Sequence, residues 1–229
     1  MKQHIKRIRK ISIWVFIIPF VALNACLILI TNFHQFFDQK DVILNTIPYI
    51  DGGASISRTA RVFPTYLIFK PAMFLTAYLL FHYWKSNYLL QKNINSKLNY
   101  KKFFFFFGVG SALLLVVHSI FLGIKFDNNL YKLFRRVIIL SFIIFELAAQ
   151  AYLVINLYKV RKSIKKFTND HILKIKIFLV TTLIIIAVIS LPIVSLPGNK
   201  AFKHALEWNY FVGVIFFYFL THLYWKKKR

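Results

Sequence analysis

The chain has 229 residues, 58% of them hydrophobic, with a mean hydropathy of +0.58; a soluble domain of this size could not hide that much apolar surface. Its 31 Lys and Arg face only 7 Asp and Glu, a formal charge of +24, yet the basic residues cluster between apolar runs that are nearly free of charge. That arrangement is the signature of membrane topology and argues against a nucleic-acid partner.

In chain order, six runs are long enough to cross a hydrocarbon core of ~30 Å at ~1.5 Å per helical residue. They are Ile11–Thr31, Thr65–Trp84, Phe103–Ile124, Val137–Tyr158, Leu173–Leu196 and Ala201–Trp225. Backbone amides cannot stay unpaired in lipid, so each run is expected to be an α-helix, and the alternation of a membrane barrel is absent. The expected fold is all-α: a single six-helix transmembrane bundle over residues 1–229.

The basic stretch Lys2–Lys10 before the first run resembles a signal peptide, and Leu23-Asn24-Ala25-Cys26 resembles a lipoprotein box. Asparagine fits that box poorly, and the apolar run continues through Leu27–Ile30, so the segment reads as an uncleaved anchor. Cys26 is the only cysteine, which excludes an intrachain disulfide. Next comes Asn32–Pro64, too polar to span and too long for a simple turn, with Pro48, Gly52 and Gly53 marking a fixed turn.

Six passes put both termini on one side with the loops near Lys85–Lys102 and Lys159–Lys176, and that side carries 21 of the 31 basic residues. It is therefore expected to be cytoplasmic, which places Asn32–Pro64 outside. Trp84 and Trp225 fall at cytoplasmic helix ends, where interfacial anchors usually sit.

Ionisable residues inside spans are costly, so each is a functional candidate. Lys70 lies ~8 Å and His118 ~9 Å below the outer edge, with Glu207 at similar depth. These three are expected to meet in a polar pocket beneath the outer loop. Glu146 lies ~13 Å in, near the centre, with Gln150 one turn on along the same face. It is expected to be protonated or paired and to face the interior. Lys70 has a plainer explanation in snorkelling, His118 in an interhelical hydrogen bond, and Glu207 in pairing with His204 or Lys203. Neither HExxH, nor a phosphate-binding glycine loop, nor GxSxG occurs, and no two histidines have ligand spacing on one helix. No metal site or cofactor is expected, and the reading leans away from an enzyme.

Ile47-Pro48-Tyr49-Ile50-Asp51-Gly52-Gly53, followed by Arg61-Val62-Phe63-Pro64 and a spanning helix, resembles the first outer loop of the FRAG/DRAM/SFK family. This family comprises six-pass proteins that include autophagy modulators and lipid-remodelling factors for GPI anchors. His118 and Glu207-Trp208 also resemble family positions; the serine that precedes the aspartate in the family is missing. The resemblance implies a protein that handles or senses lipid. Asp51 and Arg61 thereby join Lys70, His118, Glu207 and Glu146 as candidate ligand-binding residues, with membrane lipid as the partner. The host membrane is either a bacterial inner membrane or a eukaryotic endomembrane or plasma membrane. Two other readings stand beside lipid handling: a small ion- or proton-coupled transporter centred on Glu146, and a structural or chaperone-like subunit.

Overall fold

Each apolar run becomes a helix, and most of the helices outlast the run that encodes them. A computed structural model describes residues 1–94, 101–124, 128–196 and 198–226. Its helices are α1 (Lys2–Asn32), α2 (Ile56–Ala60), α3 (Tyr66–Ile94), α4 (Lys101–Phe121), α5 (Asn129–Ile164), α6 (Asp170–Ser195) and α7 (Lys200–Tyr224). Single 3-10 turns follow α1 and α5, and among the described residues there is no strand. Parts of the basic segments Lys85–Lys102 and Lys226–Arg229, and of the short outer loops near Phe126–Arg136 and Pro197–Lys200, lie outside the described residues.

Local chemistry sets the boundaries. Asn128 caps α5, its side chain accepting the Leu130 amide at 2.9 Å, and Asn169 caps α6 through the His171 amide at 3.1 Å. With that cap in place, α5 starts eight residues before its apolar run and continues past it to Ile164. Lipid thickness limits the apolar stretch, not the helix. The short α2 is an addition to the sequence-based elements, capped by Ser55 through the Arg58 amide at 3.2 Å.

The six long helices close into a ring in the order α1, α3, α4, α5, α6, α7, with α7 back against α1. α1 begins where α7 ends: Arg9 Nε donates to the His222 carbonyl at 3.3 Å, and His222 Nδ1 sits 2.9 Å from the Arg9 carbonyl. Both termini thus lie at one end of the bundle, the terminal end. The segment between α1 and α3 covers the other, the loop end.

The ring is aromatic inside: Tyr83, Trp84, Phe104, Trp208, Phe217, Tyr218, Tyr224 and Trp225 are all fully buried. Trp84 and Trp225 are therefore core residues rather than interfacial anchors, a correction to the sequence expectation. Apolar side chains also point outward, among them Val21, Ile28, Leu113, Ile144, Phe178 and Val188. An apolar exterior around a partly polar interior is what a lipid solvent selects. α1, α4, α5 and α6 are each long and apolar enough to cross a membrane. α3 and α7 are of comparable length, but polar residues such as Lys70 and Thr76, or Glu207 and Asn209, fall within their apolar stretches.

Candidate functional site

At the loop end, the segment that resembles a family motif is a self-contained turn. The Asp51 carboxylate accepts the Thr46 hydroxyl at 2.7 Å and the amides of Ile47 and Gly53 at 2.8 Å each. These three donors hold the exposed Asp51 below the usual carboxylate range, the Thr46 hydroxyl having the largest effect. Gly52 adopts φ +63, and a Cβ there would lie 1.8 Å from the Ala201 carbonyl oxygen, so only glycine fits.

α7 then takes hold of the loop one residue after another. His204 Nδ1 lies 2.9 Å from the Gly52 carbonyl, Trp208 Nε1 donates to the Ala54 carbonyl at 2.9 Å, and Asn209 donates to the Tyr49 carbonyl at 2.7 Å. Glu207 accepts the backbone amide of Ile56 at the start of α2. Tyr49 stacks edge-on against Trp208 at 5.0 Å and donates to Asn24 of α1 at 3.1 Å. Glu207 and Asp51 thus spend their hydrogen bonds on docking the loop. Glu207 partners the Ile56 amide, not the His204 or Lys203 side chain weighed from the sequence.

Lys70 and His118 sit elsewhere, around the loop-end terminus of α4. Lys70 Nζ reaches the Ile120 carbonyl at 3.4 Å. Arg61 lies against Gly123, where a Cβ would approach its carbonyl oxygen at 3.0 Å and its Cβ at 3.7 Å. Arg135 of α5 is the charged group that acts on His118, and Tyr131 ties the two helices by donating to the Phe121 carbonyl at 2.9 Å. Arg61, Lys70 and Arg135 form a cationic group around His118, and among the described residues no carboxylate pairs with any of the three. Of the expected trio, Lys70 and His118 both lie at the loop end of α4, and among the described residues no hydrogen bond joins Glu207 to either.

Glu146 is fully enclosed, as a mid-span carboxylate should be. Ser111 of α4 donates to it at 2.6 Å, Gln150 donates at 3.0 Å, and Tyr218 of α7 donates as well. Gln150 also bonds the Val214 carbonyl at 3.1 Å. A second set adjoins this one: the Tyr83 and Tyr218 rings meet at 4.9 Å, Tyr83 and Thr221 share a hydrogen bond of 3.2 Å, and Lys176 Nζ donates to Thr221 at 2.6 Å.

Lys176 was absent from the sequence candidates because it closes a basic run and reads as a topology signal. It is 0% exposed, which corrects that reading. Nothing in the local sequence foretells this burial, because it depends on α7 covering α6. The small-residue run Gly108–Ala112 packs within the chain: a Cβ on Gly108 would strike Trp84 at 2.3 Å, and one on Gly110 would strike Phe145 at 2.5 Å. A shallow apolar groove of about 450 Å³ runs along α4 between Tyr88, Lys102, Phe106 and Leu113.

No family model, curated protein or solved structure matches the chain. The functional reading therefore rests on the residues themselves.

Proposed function

We propose that the chain is a six-pass membrane protein, termini in the cytoplasm, that binds or senses membrane lipid through an anionic headgroup at the loop end of α4. The observation that carries this reading is the cationic group of Arg61, Lys70 and Arg135, drawn from the loop, α3 and α5, set around the imidazole of His118 on α4 and without a carboxylate partner among the described residues. Lys70 is ~6 Å from the start of α3, the depth at which headgroup phosphates meet acyl chains. Arg forks and ammonium groups are the usual partners of phosphate. Leu67, Ile68, Phe74 and Ile120 are exposed beside the group and offer apolar surface to the chains. The resemblance to the FRAG/DRAM/SFK family points the same way. Glu207 and Asp51 serve the site indirectly, by holding the loop that carries Arg61.

The transporter reading would instead need Glu146 to exchange its partners during a cycle. Delipidated protein titrated with phosphatidylglycerol or phosphatidylcholine, and read by native mass spectrometry, tests the lipid reading. Phosphatidylglycerol should bind preferentially, and Lys70→Ala with Arg135→Ala should weaken it about tenfold, ~1.4 kcal/mol. Equal binding of both lipids, or binding untouched by the double substitution, rejects it. A Glu146-dependent proton flux in proteoliposomes without specific lipid would favour transport.

A further inference from the structure

We infer that the terminal end of the bundle interior binds a phosphate group, with Lys176 supplying the charge. Lys176 stands six residues into α6, ~9 Å from its start, close enough for an ordinary lysine to snorkel to water. Instead it is wholly buried. Its Nζ lies 3.9 Å from the centre of the Phe217 ring and 5.7 Å from that of Tyr224, and its one hydrogen bond goes to the Thr221 hydroxyl. An ammonium has three N–H donors, so two remain. Glu146, the interior carboxylate, is engaged by Ser111, Gln150 and Tyr218 and makes no ion pair with it.

Other donors at this end are equally unspent. The Trp225 indole nitrogen and both the nitrogens and the oxygens of the Gln91 and Asn156 amides are buried without hydrogen-bond partners; the three nitrogens are the donors. They come from α3, α5 and the end of α7, and the indole can only donate. Buried polar groups in native proteins are almost always paired, and a lysine enclosed by aromatic rings with spare donors nearby suits an oxyanion. The flanking residues Arg161, Lys165, Lys166 and Lys174 would concentrate anions at this mouth. The phosphate could belong to an aqueous phosphorylated molecule or to a lipid of the adjoining leaflet. This site is separate from the cationic group at the loop end and does not depend on it.

The test uses full-length, delipidated protein in a neutral detergent. Inorganic phosphate is titrated by calorimetry and phosphatidic acid by native mass spectrometry. At least one probe should bind saturably, Lys176→Met should weaken it at least about tenfold, and Lys176→Arg should hold it within about threefold. All titrations are run in a Lys70→Ala, Arg135→Ala background, which takes the loop-end group out of the signal, and Trp14→Phe on an exposed side chain of α1 should leave the binding unchanged. Displacement of phosphatidic acid by inorganic phosphate would show that the phosphate alone is recognised; binding of only one probe would identify its source. Should Lys176→Met fail to fold, Thr221→Val carries the test and should weaken binding several-fold. Absence of saturable binding by either probe overturns the inference, as does undiminished binding in a folded Lys176→Met or Thr221→Val protein. In that case Lys176 is an amine packed against an aromatic wall.

Discussion

Single side chains in this molecule matter by what they leave unpaired when removed. Glu146 accepts from residues on α4, α5 and α7, so Glu146→Leu removes a shared acceptor: Ser111 and Gln150 keep the Gly108 and Val214 carbonyls, but the buried Tyr218 hydroxyl is stranded and three helices lose their common partner. We expect a loss of about 3 kcal/mol, against about 1 kcal/mol for Tyr218→Phe, which removes one donor and leaves the carboxylate two partners. Reversible unfolding in mixed detergent measures both, and equal losses would mean that the carboxylate does not join the helices. Asp51 yields a pH prediction instead. Its folded pKa is depressed, so its contribution is complete above the unfolded value of ~3.9 and is lost as pH falls through the lowered folded value. Proteolysis of the loop should accelerate below about pH 4 in the wild type, and Asp51→Asn should remove that dependence. The reach of sequence reading differs between these residues. Glu146 announced itself because a carboxylate amid 20 apolar residues has no solvent. Tyr83, Tyr218 and Thr221 are common residue types in aromatic runs, and their pairing exists only once α3, α6 and α7 are assembled.

At the scale of elements, α7 is both a wall of the bundle and the clamp on the loop between α1 and α3. His204, Glu207, Trp208 and Asn209 fall within two turns and meet Gly52, Ile56, Ala54 and Tyr49 of the loop. The turn itself was legible from Pro48, Gly52 and Gly53. Its docking site was not, because a polar residue at a helix start looks the same whether it faces headgroups or a loop carbonyl. The helix ends were also underestimated, since hydropathy marks what lies in lipid while caps such as Asn128 decide where the backbone begins to coil. Two substitutions test the clamp. Trp208→Phe removes the indole donor to Ala54, and Gly52→Ala forces a Cβ into the Ala201 carbonyl. Both should raise hydrogen exchange across residues 46–60 at least about tenfold while the helices stay protected, because loop opening is local. Trp14→Phe, on an exposed side chain of α1, should change nothing there.

For the whole molecule, what matters is how many of the six long helices cross. α1, α4, α5 and α6 each contain a stretch long and apolar enough to cross, while α7 also carries polar residues that dock the loop and α3 and α7 both place polar residues in the interior. Both nonetheless complete the ring between apolar neighbours, and Leu75 and Tyr78 of α3 are exposed on its outer side. The basic residues remain biased about twofold toward the terminal end even with Lys176 taken out of the count. Labelling decides between the two numbers. Gln39 lies in the exposed loop and Ser163 is exposed at the end of α5, whereas Ser96, the natural choice from the sequence, lies outside the described residues. Cys26→Ser gives a clean background and keeps a donor to the Thr65 carbonyl, which Cys26 reaches at 3.4 Å. With six passes, a cysteine at position 39 reacts with an impermeant maleimide from outside, and one at 163 reacts only after the membrane is opened. With four passes, skipping α3 leaves the chain outside until α4, so α5 delivers position 163 to the same side as position 39. Labelling of both from outside would therefore remove α3 from the membrane. Labelling of 163 alone would keep six passes and reverse the orientation.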